Sequence, residues 1–260
     1  MKLLVYKVLL ITLFAIKGDY QLIKKINKKT DFIAIDDLGY LYLHENNKLQ
    51  KYTNTGDLLN NYTNLTYGKL SFFDASDPYM LLLYYKELNK IVFLDNQLTP
   101  MGSPIDLDKL ELYQVDKVCK SKEFAIWIYD DFDKRLIQYA FNPKGILNEI
   151  NLNLLNISED INFMREAGNR LYLSTNKHLY IFDIYGSLIK KVNIDIPHSF
   201  EISYNKLIYY KNNKLISYFP DENKTDTLSV GFTENSMNVL LNDELLYSQK
   251  KDSVLIFKLN

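Results

Sequence analysis

Residues Leu171–Leu188 read LYLSTNKHLYIFDIYGSL. Two short apolar runs flank the polar turn TNKH, and a third run begins after Gly186. Asn and Gly accept left-handed backbone, so both interruptions suit reversals between antiparallel strands. The same pattern occurs earlier in the chain. Leu41-Tyr42-Leu43, Leu49, Tyr52, Gly56 and Leu58 stand at the same offsets as Leu171-Tyr172-Leu173, Leu179, Phe182, Gly186 and Leu188. Leu207-Ile208-Tyr209, Leu215 and Tyr218 continue the series without its glycine. Such a repeat marks a supersecondary unit that buries its apolar faces only against its own neighbours.

Each unit reads as a meander of a strand, a polar turn, a strand, a turn and a frayed outer strand. The second-to-third-strand turns are HENNK at 44–48, KELNK at 86–90, TNKH at 175–178 and KNNK at 211–214. Gly56, Gly145 and Gly186 are placed where the next reversal is needed. Strands such as IAIDD, LYLHE, LYIFD and SVLIFKL are short and nearly all apolar, as expected of strands covered on both faces. NLNLLNISEDI, over 151–161, is read as an outer strand and loop rather than a helix. Six units follow, at 32–67, 68–110, 111–159, 160–197, 198–232 and 233–260, the period of propeller blades. The last is one strand short, and Tyr20–Ile26 is one strand in excess. Pairing the two closes the ring and removes an open edge. The expected fold is all-β, a six-bladed β-propeller over 19–260 closed by its N-terminal strand in a 3+1 arrangement.

The first residues, MKLLVYKVLLITLFAIKG, place Lys2 and Lys7 before an apolar run from Val8 to Ile16 that ends at Lys17-Gly18. Nine residues span about 14 Å as a helix, roughly half a bilayer core, so no stable membrane span is expected. The order of basic, apolar and small residues is that of a secretory signal peptide over 1–18, and the protein is expected in the periplasm or on the cell surface. A buried first strand is the alternative. Losing Lys2, Lys7 and Lys17 with no acidic residue would take the net charge from −1 to −4. That balance argues against nucleic-acid binding. Cys119 is the single cysteine, so no intrachain disulfide can form.

The strand pattern LYLSTNKHLYIFDIYGSLIKKV and the 3+1 closure resemble six-bladed propellers of the NHL or TolB-like kind, as found among exported proteins of Bacteroidota. Nine glycines are fewer than NHL repeats usually carry, and no Trp-Asp signature of the WD40 type is present. The resemblance implies scaffolds, ligand binders and a few enzymes, and fold alone does not choose among them.

Chemistry-bearing residues are sparse. No G-x-S-x-G, no H-E-x-x-H and no Cys-His pairing supports nucleophilic catalysis. His44 and His178 fall at second-to-third-strand turns and His198 at a blade junction, and all three are read as solvated loop residues. Asp130-Asp131-Phe132-Asp133 and Asp106/Asp108 lack the ligand offsets, mid-loop glycine and closing Glu of an EF-hand, so DDFDKR is read as a charged hairpin tip. No cofactor is expected. A Ca²⁺ ion in the central channel is left open, with no residue pattern behind it. The second-to-third-strand turns are the expected binding surface, with Asp130, Asp131, Arg135, His178, Lys211 and Lys214 as its candidates. Lys134, Lys250 and Lys251 add to a mildly basic rim suited to an acidic partner or glycan, and a solubility face is the plainer reading. Trp127, in FAIWIYDD, is assigned to the core between blades.

Two functional readings follow. The preferred one is an exported, non-enzymatic, monomeric propeller that binds a protein or glycan in the cell envelope. The alternative is a lactonase-like hydrolase holding a metal in its central channel. The side chains lining that channel separate them. Three or more Asp, Glu, His or Asn meeting there at metal distances point to the enzyme, and a Tyr, Ile and Leu lining points to binding.

Overall fold

The computed structural model describes residues 20–122, 124–196, 199–203, 205–229 and 235–259. Residues 1–18, read as a signal peptide, and His198 lie outside them. Strand β1 (Tyr20–Ile26) precedes the first blade, β2 (Phe32–Ile35), β3 (Leu41–Glu45), β4 (Lys48–Tyr52) and β5 (Leu58–Thr63). The second blade holds β6 (Phe72–Asp74), β7 (Leu81–Tyr85), β8 (Lys90–Leu94) and β9 (Ile105–Asp106). The third holds β10 (Val115–Lys120), β11 (Ala125–Asp130), β12 (Arg135–Phe141) and β13 (Lys144–Asn151). The fourth is β14 (Phe163–Ala167), β15 (Arg170–Ser174), β16 (His178–Asp183) and β17 (Leu188–Asn193). The fifth is β18 (Glu201–Ser203), β19 (Lys206–Lys211), β20 (Lys214–Phe219) and β21 (Lys224–Ser229). The last comprises β22 (Asn238–Asn242), β23 (Leu245–Gln249) and β24 (Val254–Leu259).

Among the described residues these strands form six four-stranded antiparallel sheets. The chain is a six-bladed β-propeller. Its sixth sheet runs β1-β24-β23-β22, with Tyr20 opposite Leu259 and Ile26 opposite Val254. The surplus strand therefore completes the deficient blade, as its position in the sequence requires.

The apolar strands follow from packing on both faces. Side chains alternate along a strand with period two. Leu171 and Leu173 of β15 pack with Trp127 and Tyr129 of the third blade, and Tyr172 packs with Leu207 and Tyr209 of the fifth. In β16, Tyr180 and Phe182 join the first of those cores and Leu179 and Ile181 the second. Each sheet is thus wedged between two neighbours, and the last and first blades close the circle through Tyr247, Val254 and Ile256 against Leu41 and Leu43. No helix among the described residues is long and apolar enough to cross a membrane.

The turns before the outer strands of the second and fourth blades share one device, and in the first blade Thr53 Oγ1 takes its place, accepting from Asp57 N at 3.0 Å. An Asp accepts hydrogen bonds from the backbone two and four residues on: Asp183 from Tyr185 and Ser187 at 2.9 and 2.8 Å, and Asp95 from Gln97 and Thr99 at 2.8 Å each. The fourth residue is left-handed: Gly56 at φ +90°, Gly186 at +87°, and Leu98 at +63° where the second blade has no glycine. Gly145 departs from expectation. It lies inside β13, and the third-blade reversal falls at Asn142-Pro143, between β12 and β13. Residues 151–161 end β13 and then form a short 3₁₀ turn, Asn153–Leu155.

Gly186 also packs closely, since a Cβ there would stand 2.7 Å from Ile150 Cγ1. Gly186→Ala is expected to lose about 2 kcal/mol or more, from left-handed strain and overpacking together. Gly102→Ala, at φ +74° with nothing within 4 Å of the new methyl, should show only the conformational part, about 1 kcal/mol. Urea midpoints of the two variants separate the contributions.

Candidate functional site

The first strands of the blades, β2, β6, β10, β14, β18 and β22, all contribute to the wall of the central channel, where β6 meets β10, β10 meets β14 and β22 meets β2. Arg165 projects from β14 into this channel. Its Nη1 donates to Glu201 of β18, and its Nη2 stands 3.8 Å from Asp74 Oδ1 of β6, beyond hydrogen-bond range. Its Nε is buried and has no acceptor. Burial works to lower the Arg165 pKa, but Glu201 and Asp74 carry it above the ordinary value. Burial also pushes the Glu201 carboxyl up, against the pull of Arg165. Asp74 is held by backbone donors, Ser76 N and Lys120 N, each at 2.9 Å. Side chains from the second, fourth and fifth blades thereby fill the middle of the channel and divide it in two.

One half opens on the face of the second-to-third-strand turns, where the inner strands begin. It is a bowl of about 440 Å³ with Phe32, Phe72, Phe73, Phe163 and Tyr84 in its wall. Ser71, Asn162, Ser199, Asn238, Lys86, Asp116 and Lys117 supply its polar groups, and Arg165 and Glu201 its floor. Phe32 is backed by His44, with ring centroids 4.6 Å apart and planes inclined by 13°. The other half opens among the first-to-second-strand turns and holds about 350 Å³. Asp37, Ser76, Asp77, Lys120, Ser121, Lys122, Arg165 and Glu201 surround it. Lys120 is buried, donates to Ser121 O at 2.8 Å and lies 3.7 Å from Asp77; burial, above all, lowers its pKa.

Glu166, the neighbour of Arg165 in β14, faces the blade interior. It accepts Trp127 Nε1–H at 2.6 Å, Lys122 N–H at 3.1 Å and the Ser121 hydroxyl. Trp127 is fully buried in the core between third and fourth blades, as the sequence suggests.

The residues singled out in the sequence occupy a different part of the same face. The turns carrying Asp130, Asp131, Arg135, His178, Lys211 and Lys214 all emerge on the bowl side, but their charges are largely spent locally. Asp130 is buried and accepts from Arg135 Nε at 3.1 Å and Phe132 N at 3.2 Å. Asp131 accepts from Lys134 Nζ at 2.7 Å and Tyr129 OH at 2.8 Å. The hydrogen bond to Asp131 raises the Lys134 pKa above the ordinary lysine value. His178 contacts Glu159 through Nδ1, and Lys211 donates to Asp195 at 2.6 Å. Lys214 is exposed. The turns share a rim, yet they do not converge on a common point.

His44 corrects one reading. It is not a turn residue but the fourth residue of β3, only 1% exposed, with neither ring nitrogen hydrogen-bonded. Asp31 Oδ2 lies 3.4 Å from its Nδ1, and burial lowers its pKa to about 4. Arg165, by contrast, was not singled out. One signal could have found it: it is one of three arginines in a lysine-rich chain, set in the otherwise apolar start of FMREA. Among the described residues no three His, Cys, Asp or Glu side chains are grouped so as to hold a metal ion.

No protein-family model and no curated protein matches the chain. Solved structures do. The WD40 domain of Neurospora crassa Pan2 superposes with a TM-score of 0.62 at 9% identity, covering 92% of this chain and 95% of that one. Virginiamycin B lyase from Staphylococcus aureus gives 0.58 at 13% identity, over 88% and 80%. The extracellular domain of BT4673, a one-component system from B. thetaiotaomicron, gives 0.57 at 11% identity, over 86% of this chain and 32% of that one. What is shared is the fold. It serves a WD40 domain, a lyase and an extracellular domain alike, so the fold does not choose among functions.

Proposed function

We propose that this propeller is an exported, non-enzymatic binding protein of the NHL or TolB-like kind, which takes a protein or glycan partner of the cell envelope at a mouth of its channel. The observation that carries the reading is the aromatic bowl of about 440 Å³ above the Arg165–Glu201 floor. An apolar concavity with a few convergent polar groups is the usual form of a binding site. The carboxylates that meet in the channel, Asp74 and Glu201, meet around one guanidinium, which contacts Glu201 and stands 3.8 Å from Asp74. A hydrolase that holds its metal on channel carboxylates would need those groups free. Export is supported by the basic, apolar and small residues of 1–18 and is in keeping with a propeller neighbour that is an extracellular domain.

Ser199 lines the bowl, and Ser199→Trp fills it without removing a core side chain. In cells that make the protein, in-place crosslinking should yield a defined adduct that Ser199→Trp loses. An unchanged adduct pattern sinks the bowl as the site, and chelator-sensitive turnover of lactones by the purified protein would favour the alternative. N-terminal sequencing of the protein from fractionated cells should find a start near residue 19 in the exported fraction. An intact Met1 there, or recovery only from the cytoplasm, overturns export.

A further inference from the structure

The half of the channel opposite the bowl has a different chemistry. Its wall mixes carboxylates and cations: Asp37, Asp77 and Glu201 face Lys122 and Arg165 across about 350 Å³, the lower end of small-molecule pockets. Acidic side chains alone make no site. Arg165 supplies the second observation. Its side chain is only 9% exposed and lines this cavity, its Nε has no acceptor, and its Nη2 stands 3.8 Å from Asp74, beyond hydrogen-bond range. A buried guanidinium with donors to spare, beside carboxylates with lone pairs to spare, lacks a group that can both accept and donate.

Net charge narrows what that group is. An anion would meet Asp37, Asp77 and Glu201. These carboxylates already crowd one another: burial first, then Asp36, Asp74 and Asp77, raise the Asp37 pKa despite Arg165. An organic cation would meet Arg165 and the buried Lys120. A neutral hydroxyl has one donor and two acceptor lone pairs, so it satisfies both kinds of wall. The three successive first-to-second-strand turns that contribute to the cavity also expose large apolar side chains outside its lining, Leu38 at 52%, Tyr79 at 62% and Phe124 at 58%. Apolar and aromatic surface beside a polar cavity suits a ring with hydroxyls on its edge and C–H groups on its faces.

We propose that this mouth binds one unit of a neutral sugar, with hydroxyls taken by Asp37, Asp77 and Arg165 and the ring lying against the collar of Leu38, Tyr79 and Phe124. The inference deepens the binding reading and rests on it, with the glycan as ligand and a second mouth as its seat.

The full chain is titrated with glucose, galactose, mannose, N-acetylglucosamine and lactose, read by saturation-transfer NMR and calorimetry, with galacturonate and spermidine as charged probes. At least one neutral sugar is expected to bind saturably in the millimolar range, more tightly than either charged probe. Ser76→Trp, in the cavity wall, should abolish that binding. Asp77→Asn should weaken it by about tenfold, as loss of one hydrogen bond to a charged group does. Asp37→Asn, at an exposed turn position, gives the same reading should Ser76→Trp unfold the protein. Ser199→Trp, which fills the opposite bowl, should remove the crosslinked adduct and leave the sugar titration as it was. The proposal is overturned by absence of saturable binding for every neutral sugar, by binding that survives both Ser76→Trp and Asp37→Asn, or by tighter binding of galacturonate or spermidine. If sugar binding fails while Ser199→Trp still removes the crosslinked partner, this inference alone falls. If neither effect is seen, the binding reading falls with it.

Discussion

Arg165→Met is expected to cost the fold about 3–5 kcal/mol, because it strips the cation from carboxylates that stay in the channel. Asp74 is 1% exposed, and Glu201 loses the guanidinium that its carboxylate contacts. For a domain of this size the loss corresponds to a fall in Tm of roughly 10 °C. Glu201→Leu on the Arg165→Met background should recover part of it, since removing a charge together with its partner costs less than stranding one. Scanning calorimetry on the two single variants and the double variant gives the coupling. A loss below about 1 kcal/mol for Arg165→Met would mean that the cluster contributes little beyond filling space, contrary to the usual cost of breaking a buried pair.

Stability should fall in mild acid because of His44. Burial lowers its pKa from 6.5 to about 4, while Asp31 pulls the other way. Between those two values the unfolded chain binds a proton that the folded chain refuses, so the contribution is complete above about 6.5 and is lost as pH drops toward 4. At pH 4.5 the loss attributable to this residue is about 2.5 kcal/mol. His44→Phe keeps a ring against Phe32 and removes the titration. Urea unfolding at pH 7 and pH 4.5 should show the wild type losing about 2.5 kcal/mol more than the variant between the two conditions. Equal losses would show that His44 is protonated in the fold without penalty.

Much of the architecture was legible because its determinants are local. The offsets linking Leu41–Leu58 to Leu171–Leu188 encode strand length, turn chemistry and the left-handed Gly56 and Gly186, each set within a few residues. The closing strand was legible by arithmetic, one in excess at the start and one short at the end. Where the reading failed, a local substitute had replaced the expected residue. Leu98 takes the left-handed place of a glycine, and Asn142-Pro143 makes the reversal assigned to Gly145. His44 looked like a turn residue because HENNK is polar, yet β3 runs through Glu45 and carries the ring into the interior.

The candidate site was less legible for a different reason. The turn residues named from the sequence do share a rim, but Asp130, Asp131, Arg135, His178 and Lys211 each have a charged neighbour that pattern reading could not pair with them. The repeat by itself determined six blades, their order and their closure, because alternation and turn residues act over short stretches of chain. Only the tertiary structure brought Asp74, Arg165 and Glu201 from three blades to one axis. One charged side chain from each of three inner strands has no periodicity to betray it, and its partners are chosen by the closing of the ring.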